Sequence, residues 1–152
     1  MTWFERWMRG VLMALSLTCA AAFAQAPDPE AARVAEAIEL YTQGTYEGDG
    51  EKLRSVFHER AVMHGYIGDE LITERPAEFI EGMERLRMRD LGAEYRPSIV
   101  SMEIEGRVAA VTLEETGFPG GMSFTNYFHL IDDGTGWKII SKTFIGSGSV
   151  RQ

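Results

Sequence analysis

Three imidazoles, one asparagine and a few phenols are the groups in this sequence suited to chemistry near neutral pH. An imidazole takes or gives a proton at pH 7 if it faces a cavity, so His58, His64 and His129 come first. His64 lies in the strand-like run 61–67, sharing one face with Val62 and Tyr66 while Met63, Gly65 and Ile67 share the other. Both faces are mixed, which leaves open the face that lines a pocket. His58 follows a short helical run, where a cation would suit the last carbonyls. The three histidines show no His-x-His and no pair at i and i+4, and they offer no metal-ligand set by spacing. No metal and no cofactor is expected.

Asn126 is the only asparagine in the chain. In the run 123–132 one parity holds Phe124, Asn126, Phe128 and Leu130, and the other holds Ser123, Thr125, Tyr127, His129 and Ile131. The first set is more apolar and is expected to face inward. A buried amide without partners costs about 1–3 kcal/mol, so Asn126 must bond to the scaffold, to water or to a ligand. On the last strand-like run, Trp137, Ile139, Ser141 and Thr143 share a parity opposed by Lys138 and Lys142. Lysines seldom point into a core, so the first set is expected inside. The expected binding set is therefore Phe124, Asn126, Phe128, Trp137, Ser141 and Thr143, with Tyr41 and Tyr66 as phenolic donors. Glu114 and Glu115 at a strand end, and Asp49 in a turn, read as solvated acids.

These residues need elements to hold them. Asp28-Pro29-Glu30 reads as a helix start with an aspartate cap, and Val34, Ala37, Ile38, Tyr41 and Thr45 give one apolar stripe to about Tyr46. A short helix over 51–57 follows the Gly48-Asp49-Gly50 break. Runs 61–67 and 70–73 read as strands joined by Gly68-Asp69. Pro76 opens a third helix, with Phe79, Ile80, Met83 and Leu86 as its buried stripe and Gly92 as its end. From Ser98 the period changes to two. Four strand-like runs, 98–104, 107–115, 123–132 and 137–144, are separated by short glycine-rich connectors, which predicts antiparallel neighbours. Helices followed by a meander make the α+β class.

Length and composition set the outer limits. A chain of 152 residues accommodates one domain, and 45% hydrophobic with 25% charged residues predicts that it folds. A formal charge of −8 opposes binding to a phosphate backbone, so nucleic acid is not an expected partner. Arg6 and Arg9 precede an uncharged run, 11–24, that ends Ala22-Phe23-Ala24. This is read as a signal peptide over 1–24, whose apolar run of 14 residues is shorter than the roughly 20 a bilayer span needs. Cys19, the only cysteine, lies inside it. A periplasmic or secreted protein without thiols is expected, with no membrane attachment after cleavage.

Four stretches, 41–61 (YTQGTYEGDGEKLRSVFHERA), 64–71 (HGYIGDEL), 77–83 (AEFIEGM) and 124–144 (FTNYFHLIDDGTGWKIISKTF), resemble the nuclear transport factor 2-like superfamily, in the group described as putative lumazine-binding. The resemblance implies a domain over 27–145 followed by a loose tail, 146–152. It implies N-terminal helices packed on a curved antiparallel sheet, forming a cone with an apolar pocket, often in a homodimer. Three functions are compatible with it: a domain binding a small organic ligand, a small isomerase, dehydratase or cyclase with His64 as general base, and a structural dimerisation module. His58 matches a position where the family commonly has histidine. Relatives often carry an acid near Asn126, and an amide cannot replace it as a base.

Overall fold

The computed structural model describes residues 28–148. Asp28 caps the first helix, α1 (Pro29–Glu47), by accepting from the Glu30 amide at 2.9 Å, and Pro29 supplies a preset first-turn geometry. Gly48 ends it in the left-handed region at φ 68°. Asp49 then caps α2 (Gly50–Val56) by accepting from the Glu51 and Lys52 amides. The chain passes directly into β1 (Phe57–Ile67), turns into β2 (Glu70–Glu74) and enters α3 (Pro76–Leu86). Four strands complete the order: β3 (Arg96–Glu105), β4 (Val108–Phe118), β5 (Met122–Asp132) and β6 (Trp137–Ser147).

The six strands form one sheet in the order β2-β1-β6-β5-β4-β3. Every neighbouring pair is antiparallel except β1 with β6. Three helices packed on one mixed sheet are the expected α+β architecture, with this one parallel pair added. The buried stripe of α1, from Val34 through Ile38 to Tyr41, packs with Leu113, Phe128 and Ile139 in a single core. Among the described residues no helix is long and apolar enough to cross a membrane.

Three boundaries differ from expectation. The third helix stops at Leu86, where Arg87 takes a left-handed φ of 42° and the chain turns so that Met88 is fully buried. β1 begins at Phe57, four residues early, because Phe57 pairs with Ile139 before a register shift ahead of Val62. Gly146 and Ser147 belong to β6, paired with Phe124 and Ser123, and are not part of a loose tail. The expected signal segment, 1–24, lies outside the described residues.

Most consequential for function is the pairing of β5 with β6. His129 opposes Ser141 and Leu130 opposes Ile139, so Ile140 is an extra residue in β6. Such a β-bulge leaves one residue unpaired and reverses the alternation beyond it. Trp137 and Ile139 are buried before it, and Lys142 and Phe144 are buried after it.

Candidate functional site

A cavity of about 280 Å³ lies between α1, α3 and the inward face of the sheet. Its walls are mainly apolar, with Met63, Phe79, Met83, Phe118, Phe124 and Phe144 among them. Four ionisable side chains also line it: Tyr41, Glu74, Glu115 and Lys142.

Each of these four is placed by a local rule. Tyr41 continues the buried stripe of α1. Glu115 follows Ala109, Val111 and Leu113 on the inward parity of β4, which runs three residues beyond it before the Pro119–Gly121 turn. Lys142 turns inward because of the bulge at Ile140. Glu74 closes β2 and is half-buried.

The polar groups form two linked sets. Glu115 is 1% exposed. Its Oε2 accepts from Asn126 Nδ2 at 2.6 Å, and its Oε1 accepts from the Tyr95 hydroxyl. Asn126 Nδ2 also approaches the Leu113 carbonyl at 3.4 Å. Lys142 Nζ donates to Tyr41 Oη at 2.8 Å and stands 4.5 Å from the Phe79 ring centroid and 5.0 Å from that of Phe144. Tyr41 itself stacks on Phe79 and meets Phe128 edge-on.

Burial dominates the electrostatics. It pushes the Glu115 carboxyl up, opposed by the charge of Lys142 and by the hydrogen bonds from Tyr95 and Asn126. It pulls the Lys142 ammonium down to about 8, opposed by Glu115 and Glu74. The Tyr41 and Tyr95 phenols are both raised, by burial first and by the Glu115 charge second. Burial also raises the Glu74 carboxyl. The cavity thus holds an acid and a base whose proton affinities have moved towards each other, an arrangement suited to polarising a carbonyl or moving a proton.

The sequence-predicted residues divide among cavity, core and outer face. Tyr41 and Phe124 line the cavity. Asn126 is fully buried on the inward parity and is engaged by Glu115. Phe128 and Trp137 are core residues outside the cavity lining, and Trp137 Nε1 donates to Glu30 Oε2 at 3.0 Å. Ser141 and Thr143 require correction: the Ile140 bulge turns them to the outer face and brings Lys142 in. His64 and Tyr66 require the same correction, since Met63 and Gly65 take the inward parity of β1. A β-carbon at Gly65 would lie 2.3 Å from the Phe144 carbonyl oxygen, so no side chain fits there. His64 is exposed, with Nδ1 3.3 Å from Thr73 Oγ1. His58 Nδ1 accepts from the Arg60 amide, and His129 is on the outer face.

Sequence reasoning missed Glu115, Lys142, Tyr95 and Glu74. The alternation of Ala109, Val111 and Leu113 was a usable signal for Glu115; its place near an expected strand end obscured it. Nothing in the local pattern of β6 marks Ile140 as a bulge.

A family model described as "Putative lumazine-binding" matches residues 29–145. Among curated proteins none matches the chain. Several solved structures resemble it. A nuclear transport factor 2-like protein of unknown function from Shewanella baltica OS155 has a TM-score of 0.72 at 20% identity, covering 82% of this chain and 99% of that one. One from Methylobacillus flagellatus KT has 0.69 at 20% identity, with 82% and 97% covered. Another, from Silicibacter pomeroyi DSS-3, has 0.67 at 24% identity, with 75% and 92% covered. These likenesses show the fold.

Proposed function

The chain belongs to the putative lumazine-binding family of the nuclear transport factor 2-like superfamily, and we propose that its cavity binds a small, neutral organic molecule bearing a carbonyl group. One observation carries the reading: an apolar cavity with a buried lysine, held by a tyrosine, on its wall. Lys142 can donate to a ligand oxygen, and the aromatic walls favour a flat or compact apolar body. Two carboxyl groups against one lysine disfavour an anionic ligand, whose charge would be desolvated beside them.

The test is thermal denaturation with benzaldehyde and acetophenone beside benzoate. Neutral carbonyl compounds should raise the melting temperature, and a ligand at a hundred times its Kd adds about 2.7 kcal/mol. Stronger stabilisation by benzoate would refute the reading.

A second reading, proton transfer on the bound molecule, is supported by Glu115 and Lys142 lining one cavity with proton affinities shifted in opposite directions. Glu115 would be the base, in the role expected of His64. Deuterium uptake beside the carbonyl of acetophenone, lost in Glu115→Gln, would support it; no uptake above the buffer rate would refute it.

The reading includes a homodimer and export. Tyr66 (48% exposed), Tyr127 (51%) and Ile145 (54%) lie close together on the outer sheet face, because Ile145 opposes Tyr66 and Thr143 opposes Tyr127. Exposed apolar area of this kind favours a cover, and a second copy presents the same surface. Light scattering should give a dimer mass, reduced to the monomer by Ile145→Asp; a wild-type monomer would refute the homodimer. Export is supported by the basic start and apolar run of residues 1–24. N-terminal sequencing of exported protein should begin at or near Gln25, and an intact leader in the membrane fraction would refute it.

A further inference from the structure

Lys142 is the only one of the chain's three lysines that lines the cavity. Lys52 pairs with Glu47, and Lys138 donates to the Ser55 carbonyl. Around Lys142 Nζ stand the rings of Tyr41, Phe79 and Phe144, with one hydrogen-bond partner, Tyr41 Oη. Among the described residues no ion pair within 4.0 Å engages it. A scaffold lysine that serves only structure is ordinarily tied to a carboxylate, or extends its ammonium to water. This one does neither.

We propose that Lys142 is a nucleophile that forms a reversible imine with an aldehyde or ketone bound in the cavity. The proposal rests on the carbonyl-ligand reading above and deepens it. The neutral amine attacks the carbonyl carbon, the C=O π pair moves to oxygen, and that oxygen gains a proton as nitrogen loses one. The C–O bond of the resulting carbinolamine then breaks as the nitrogen pair forms C=N, the oxygen leaves as water with a second proton, and the iminium nitrogen returns its remaining proton to the group that supplied that one. The net change is amine plus carbonyl to imine plus water, with no oxidant or reductant.

The surroundings suit each step. Burial away from water disfavours the charged ammonium and so favours the nucleophilic form. The cavity lowers the activity of water, which draws the dehydration forward. Tyr41 Oη contacts Nζ and can relay a proton. Glu115, with its carboxyl raised by burial, shares the cavity and can supply the proton that leaves with water. The groups that set the state of Lys142 are Tyr41 from α1, Glu74 from β2 and Glu115 from β4; Phe79 from α3 and Phe144 from β6 contribute rings without charge.

The test is reductive trapping of the full chain with benzaldehyde and sodium cyanoborohydride at pH 7, followed by peptide mass spectrometry. A benzyl group should appear on Lys142 about tenfold or more faster than on Lys52 or Lys138, because the cavity holds the aldehyde beside its amine. Labelling should rise as the pH passes about 8 and vanish from that peptide in Lys142→Met. Equal labelling of all three lysines, or none at Lys142, would overturn the proposal. Benzaldehyde binding is followed separately, without reductant, through the methyl resonances of Met63 and Met83. Occupancy without a Lys142 adduct overturns the imine and leaves the binding reading standing, whereas absence of occupancy overturns both for this carbonyl class.

Discussion

Replacing Lys142 with methionine should remove a pH-dependent share of the protein's stability. Burial brings the folded amine down to about 8 from an ordinary 10.5. At pH 7 both folded and unfolded chains hold the proton, and keeping it in the folded state costs about 3 kcal/mol. As the pH rises through 8 the folded amine releases its proton while the unfolded one retains it until 10.5. The unfolded state then binds more protons, so stability rises with pH. Between pH 7 and 9.5 this gain is about 2 kcal/mol.

Methionine keeps most of the apolar stem and does not titrate. The wild-type stability relative to Lys142→Met should therefore increase by about 2 kcal/mol over that interval, whatever the offset at pH 7. The raised phenols of Tyr41 and Tyr95 are common to both proteins and cancel to first order. Loss of the ammonium also lifts the Glu115 carboxyl further; a variant destabilised as that group ionises would widen the difference in the same direction. Urea unfolding followed by Trp137 fluorescence at the two pH values measures it. A constant difference, or one that shrinks as the pH rises, would refute the claim that Lys142 is held as a strained cation.

Three further outcomes are expected. Glu115→Gln should cost about 1–3 kcal/mol in thermal melts, because Tyr95 and Asn126 lose their carboxylate partner. It should also move the onset of Lys142 labelling below pH 8, since Glu115 holds that ammonium up; an unmoved onset would separate the two groups. Gly65→Ala should destabilise by about 1–3 kcal/mol, because the new carbon meets the Phe144 backbone and ring, and an unchanged melting temperature would show that β1 and β6 can separate there. His64→Ala should leave benzaldehyde affinity within about twofold of wild type, as its ring is on the outer face and a surface change of this kind has little effect elsewhere. A large loss would return His64 to the site.

The helices were legible because their signals are local: Asp28, Pro29 and the 3.6-residue stripe through Tyr41 act within a few residues of one another. The same holds for β5, whose unbroken alternation placed Asn126 inward. What failed was the transfer of parity from one strand to the next. Ser141 and Thr143 share the parity of Trp137 and Ile139 in the sequence, but facing depends on pairing with β5, a long-range property. The rule that lysines avoid interiors reinforced the error, and Glu115 was lost to a similar prior about charge near a strand end. Both residues break the usual rule at the cavity, where the cost of burying charge is offset by hydrogen bonds and by the opposite charge across it.

The extra residue at Ile140 makes β6 sensitive to counting. Removing one residue at the bulge, between Ile139 and Lys142, would restore simple alternation with the ammonium and the Phe144 ring still inward; keeping every residue while flattening the bulge is what would send both to the outer surface and bring Thr143 and Ile145 into the cavity. In that second case the composition of the strand would not change at all, yet pocket and outer surface would exchange their chemistry. Relatives of this chain should therefore be compared by the interval from Trp137 to Lys142: four positions without a bulge and five with one keep the same faces, whereas reading the five positions here as simple alternation assigns the wrong face to every residue that follows.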